Sequence, residues 1–121
     1  MNEIERYRMA EGFLELGKPL EALDLLEPIA DQLHDMAGGQ LLIGRAYYHS
    51  AQLNRARQAL ERAVELAPTD AYARFVLGRT MQRQNRHTEA GAHFRVAAAL
   101  DPNPEFCEHR DTHARMHPAA A

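Results

Sequence analysis

Five residues of this chain recur with matched character 34 positions further on: Gly44 as Gly78, Ala56 as Ala90, Leu60 as Phe94, Ala63 as Ala97 and Pro68 as Pro102. A fixed internal period of this length means that one supersecondary unit is repeated and that a single copy does not bury its apolar face alone. One period earlier stand Ala10, Ala22, Leu26 and Ile29, which keep small or apolar character, and then His34, where the proline is missing. The first copy is therefore degenerate but in register.

Each copy reads as two helices, because apolar residues fall at three- and four-residue spacings on both sides of a short polar break. Leu41, Ile43, Gly44, Tyr47 and Tyr48 pattern the first helix of the middle copy, and Leu53, Ala56, Leu60, Ala63, Val64 and Leu66 its second. The breaks are Leu16-Gly17-Lys18-Pro19, Ser50-Ala51-Gln52 and Gln84-Asn85-Arg86. Gly17 and Asn85 tolerate a left-handed backbone and Pro19 suits the first turn of a helix, so two of the three breaks carry sound stop and start chemistry. Asp70 and Asp101 stand near prolines that end one pair and admit the next, with Thr69 or Asp70 as N-cap. Pro28 falls inside the second helix of the first copy and removes the amide that would bond the Asp24 carbonyl, so a kink or an early helix end is expected there. No strand pattern is present.

Ile43-Gly44 with Tyr47, then Ala56, Leu60, Ala63 and Pro68, resemble the tetratricopeptide-repeat (TPR) signature of a large apolar residue, Gly, Tyr, Ala, a Phe-type residue, Ala and Pro. Leu77, Gly78, Ala90, Phe94, Ala97 and Pro102 repeat it. The small residues belong where two helices cross closely, since a larger side chain there pushes the pair apart. The resemblance covers about residues 3–102. It departs where Arg6, Gln40 and Arg74 replace the usual aromatic and where Met81 replaces the tyrosine. It implies an all-α fold, an α-solenoid of antiparallel helix pairs in a right-handed superhelix, with repeats at about 3–36, 37–70 and 71–104. Residues 105–121 are then expected to be a capping helix, from Pro104 to about Met116 with Phe106 supplying its contact, followed by a frayed tail from His117.

Length and charge bound the functional classes. At 121 residues one domain is the natural expectation, and a net charge of −3 supports no general attraction to nucleic acid or to an anionic membrane. Residues 1–35 carry nine acidic and three basic side chains, whereas residues 71–104 carry two and five. Cys107 is the only cysteine, so no intrachain disulfide forms. The opening MNEIERYRMAEGF lacks the apolar run of a secretory signal, and no stretch reaches the roughly 20 apolar residues that span a bilayer, which makes the cytoplasm the expected location. Catalysis finds no footing: no phosphate loop, nucleophile elbow or paired-cysteine motif occurs, Cys107 near His109 is a weak nucleophile signal, and no cofactor is implied.

Binding is the expected work. The resemblance implies that the first helix of each pair lines a concave groove, with Tyr7, Glu11 and Leu14 from the first copy, Leu41, Arg45 and Tyr48 from the second, and Phe75, Arg79 and Gln82 from the third. His49, Tyr72 and Arg83 stand at its rim. Arginines among aromatics suit a partner peptide or helix that offers an apolar anchor and a carboxylate. The plainer reading is that Leu41, Tyr48, Tyr72 and Phe75 pack neighbouring helices and that Arg79 and Arg83, one turn apart, form a solvated face. In the TPR proteins that bind chaperone C-termini, Lys and Asn clamp two carboxylates; those positions read Tyr7, Glu11, Leu42, Tyr72 and Val76 here, which disfavours that subtype. Self-association into a homo-oligomer is the alternative, with the acidic first copy meeting the basic third copy of another molecule or an exposed end face pairing across a two-fold axis. His109, His113 and His117 recur every four residues, which stacks them on one helix face as weak metal-ligand candidates.

Overall fold

The computed structural model describes residues 1–120 and is helical, with no strand among the described residues. Two compact units divide the chain, Met1–Leu66 and Ala67–Ala121.

The first unit holds α1 (Glu3–Glu15), α2 (Pro19–Leu26), the short α3 (Ala30–Leu33), α4 (Ala37–His49) and α5 (Leu53–Leu66). Asn2 caps α1 by accepting the Glu5 amide at 2.9 Å. Pro28 both ends and redirects its helix: α2 stops at Leu26, a 3-10 turn spans Glu27–Ile29, and α3 restarts at Ala30. The core gathers Ala10, Leu14, Ala22, Leu23, Leu26, Ile29 and Leu33 with Leu42, Ile43 and Ala46. Arg62 of α5 pairs with Asp35 and Glu65 and donates to the His34 carbonyl, tying α5 to the turn before α4.

The second unit holds α6 (Ala71–Arg83), α7 (His87–Leu100) and α8 (Pro104–Met116). Asp70 caps α6 through the Ala73 amide and Asn103 caps α8 through the Phe106 amide. Phe106 is buried, its ring stacked on Phe75 with centroids 4.6 Å apart. The C-terminal helix expected from the repeat is therefore in place. Beyond it Pro118–Ala120 closes a 3-10 turn in which the Ala120 amide reaches the His117 carbonyl at 3.0 Å. Ala121 lies outside the described residues.

Three features return at 34-residue intervals. Gly17, Ala51 and Asn85 take φ of 74°, 60° and 61°, and the next residue's amide bonds five residues back, Lys18 to Phe13, Gln52 to Tyr47 and Arg86 to Met81. These are left-handed helix stops of one kind. A Cβ at Gly44 would stand 2.7 Å from Leu60 Cγ, and one at Gly78 2.8 Å from Phe94 Cε1, which is why both positions are glycine. The positions that depart from the repeat's usual aromatic act alike, since Arg6, Gln40 and Arg74 donate to the carbonyls of Leu25 (3.5 Å), Leu33 (2.9 Å) and Pro68 (3.3 Å). Gln40 thus satisfies a buried carbonyl at the end of α3, which an aromatic ring does not do.

Candidate functional site

In the first unit, α1 and α4 position the expected binding residues. Tyr7 is half-buried, and its hydroxyl would lie 3.4 Å from a Cβ on Gly38, so the start of α4 passes directly beneath it. Burial pushes the Tyr7 phenol above its ordinary range, Glu11 adds to the rise and Arg45 opposes it, which places these three side chains in one neighbourhood. Leu41, Arg45 and Tyr48 are half-buried, Glu11 and His49 are exposed, and the Tyr48 and His49 rings meet edge-on at 5.2 Å. Leu14 is different: it belongs to the core and has no open face to offer.

Beside Tyr7 lies a cavity of about 300 Å³ lined by Ile4, Tyr7, Arg8, Glu11, Ile29, Leu33 and Met36 among others. Ile4 and Met36 at its mouth are exposed. The cavity lies between residues of α1 and residues that follow the Pro28 break, Ile29 and Leu33 among them.

In the second unit, Tyr72 and Arg83 are exposed and Gln82 is half-buried. Phe75 is not available as an anchor, because α8 covers it: its ring stacks on Phe106 and meets His109 edge-on at 4.8 Å. Arg79 lies 5.9 Å over the Phe75 ring and donates to His109 Nε2 at 3.0 Å. Since guanidinium only donates, His109 Nε2 accepts and its Nδ1 carries the proton toward the Glu105 carbonyl at 3.0 Å.

Those two bonds occupy both nitrogens of His109 and separate it from His113 and His117. The imidazole that joins them instead is His87, the first residue of α7. His87 Nδ1 and His113 Nε2 are 3.4 Å apart, and the His87 and His117 rings stack with centroids at 3.6 Å. Burial lowers the His113 pKa, with His117, His87 and Arg95 pushing the same way. Gly91 makes room for this ring: a Cβ there would stand 3.3 Å from His113 Cε1 and Nδ1. No helix among the described residues is long and apolar enough to cross a membrane.

Known proteins share this fold, although no curated protein matches the chain in sequence. Among solved structures, the first TPR of Spaghetti (RPAP3) bound to the HSP90 peptide SRMEEVD is 17% identical with a TM-score of 0.86, over 94% of this chain and 91% of that one. The type III secretion chaperone SycD of Yersinia enterocolitica, in complex with a peptide of the translocator YopD, is 19% identical with a TM-score of 0.77, over 96% and 89%. MamA from Desulfovibrio magneticus RS-1 is 27% identical with a TM-score of 0.76, over 82% of this chain but only 56% of that one. The family model for the tetratricopeptide repeat matches residues 41–103, more than half of the chain. With its small-residue helix crossings and left-handed stops returning every 34 residues, the chain belongs to the tetratricopeptide repeat family.

Proposed function

We propose that this chain is a protein-interaction module that holds a peptide or helix of a partner against the exposed sides of its first helices, rather than catalysing a reaction. The observation that carries this reading is the apolar cavity beside Tyr7, open at Ile4 and Met36 and flanked by Arg8, with Arg45 in the Tyr7 neighbourhood. An aliphatic or aromatic side chain from a partner fills such a cavity, while a neighbouring arginine meets a carboxylate in bidentate fashion. On the first unit Tyr48 adds aromatic surface, and on the second Tyr72 and Arg83 are exposed. Phe75 is covered by α8 and is not proposed as an anchor. Peptide-bound relatives of this fold support the class of partner. The chaperone-tail subtype is not proposed, because Tyr7, Glu11, Leu42, Tyr72 and Val76 occupy the positions of its carboxylate clamp.

The test is affinity capture from a lysate of the native organism with wild type and with the Arg45→Glu, Arg79→Glu double variant, followed by titration of each captured protein against both. Partners bound by wild type and lost by a folded variant support the reading. A partner whose affinity ignores both substitutions sinks it.

Self-association is the second reading, favoured by the same exposed Ile4 and Met36 in an acidic stretch. Its measure is solution mass against ionic strength. Assembly driven by charge weakens as salt rises, whereas a monomeric mass throughout removes this reading.

A further inference from the structure

We propose that His87, His113 and His117 form a binding site for a divalent transition-metal ion, zinc or a neighbour in its series, which staples the start of α7 to the end of α8. The three imidazoles come from two helices and from the first residue beyond the second helix, and one ligand atom from each lies within 4.8 Å of the others. Around a tetrahedral zinc ion with Zn–N near 2.0–2.1 Å, ligand nitrogens stand about 3.3 Å apart. His87 Nδ1 and His113 Nε2 already stand 3.4 Å apart.

The site is built rather than accidental in two respects. His113 is buried, packed edge-on against Phe94 at 5.4 Å, so its ring is held before any ion arrives. Gly91 keeps clear the space that ring occupies. His117 is the adjustable member: it lies just beyond the end of α8 and is only half-buried, which leaves its ring room to turn from the stack on His87 toward a shared ion. An all-imidazole donor set, with neither thiolate nor carboxylate among its three members, suits zinc, copper or nickel and does not suit magnesium or calcium. Three protein ligands leave a fourth tetrahedral position for water.

The site differs from simple chelation by a histidine-rich helix, and one pair of variants separates the two. A helix-face chelator uses His109, His113 and His117 at four-residue spacing and ignores His87. The proposed site requires His87 and ignores His109, whose nitrogens are engaged by Arg79 and Glu105. Tag-free, chelator-treated full-length protein is titrated calorimetrically with Zn²⁺, and Co²⁺ absorption reports the coordination geometry. The expected result is one ion per chain, a tetrahedral Co²⁺ spectrum and a zinc-dependent rise in Tm. His87→Gln and His117→Gln each weaken affinity about tenfold or more and abolish that rise, and His109→Gln leaves both as in wild type. Because His87 and His117 are only half-buried, their variants keep the metal-free Tm of wild type, which separates lost ligation from lost folding. Zinc affinity unchanged in His87→Gln, equal weakening in His109→Gln, or the absence of saturable one-to-one binding each overturns the proposal.

Discussion

In the first unit Ile4 leaves 64% of its surface exposed and Met36 50%, whereas in the second unit Phe106 leaves 5% and His113 3%. Both units are built from helix pairs of the same repeat, yet the first keeps an apolar cavity open to solvent and the second closes its apolar surface with a dedicated helix. Repeats bury their faces only against a neighbour, so an extra helix on one unit and none on the cavity of the other distinguishes a sealed surface from one able to receive a partner. The sealing helix is polar apart from a few positions, and Phe106 carries much of its attachment through a stack on Phe75.

The sharpest way to break this contrast is to remove the seal. Phe106→Ala strips a buried aromatic from α8 and is expected to cost about 3–4 kcal/mol by thermal or denaturant unfolding. A cost below about 1 kcal/mol would mean that α8 is held by something else. Next come the helix crossings. Gly44→Ala and Gly78→Ala drive a methyl group into Leu60 and Phe94, with an expected loss of about 1–3 kcal/mol each. The same substitution at Gly12, where nothing lies within 4 Å, is expected to stabilise by up to about 1 kcal/mol through helix propensity. Equal effects at Gly12 and Gly44 would remove the steric argument.

Smaller changes sharpen the comparison. Ala51 adopts a left-handed backbone that alanine disfavours, so Ala51→Gly is expected to raise stability by about 0.5–1 kcal/mol, and a decrease would show that the stop at this break depends on its side chain. Ile4→Asp at the mouth of the open cavity is expected to change stability by no more than about 0.5 kcal/mol while abolishing partner capture or self-association. Large destabilisation by Ile4→Asp would mean that the cavity is part of the core rather than a surface for a partner.

The periodic parts of this structure were legible in the chain because repetition is a local signal. Gly44 and Gly78 stand where close helix crossings need them, Pro28 interrupts its helix, and Asp70 caps α6. Ala51 marks the limit of that signal: its residue type says nothing of a left-handed stop, and the fold imposes one in register with Gly17 and Asn85. The substituted aromatics were legible only as departures. That Arg6, Gln40 and Arg74 all donate to main-chain carbonyls depends on where the chain passes next to them.

Binding residues divide along the same line. Offsets along a helix name the face on which Leu14 and Phe75 lie, but whether that face is covered depends on other elements: Leu14 sits in the first unit's core and Phe75 lies beneath Phe106. The histidines make the point most clearly. Spacing along one helix pairs His109 with His113 and His117, while the fold turns His109 toward Arg79 and brings in His87, 26 residues before His113.

By itself, then, the sequence determined a repeated pair of helices, most of its stops, its crossing points and its family, because each follows from backbone conformation and side-chain size within a few residues. Only the tertiary structure decided which faces are sealed, where the open cavity lies and which imidazoles meet, because those depend on contacts between residues far apart in the chain, for which a single sequence carries no periodic mark.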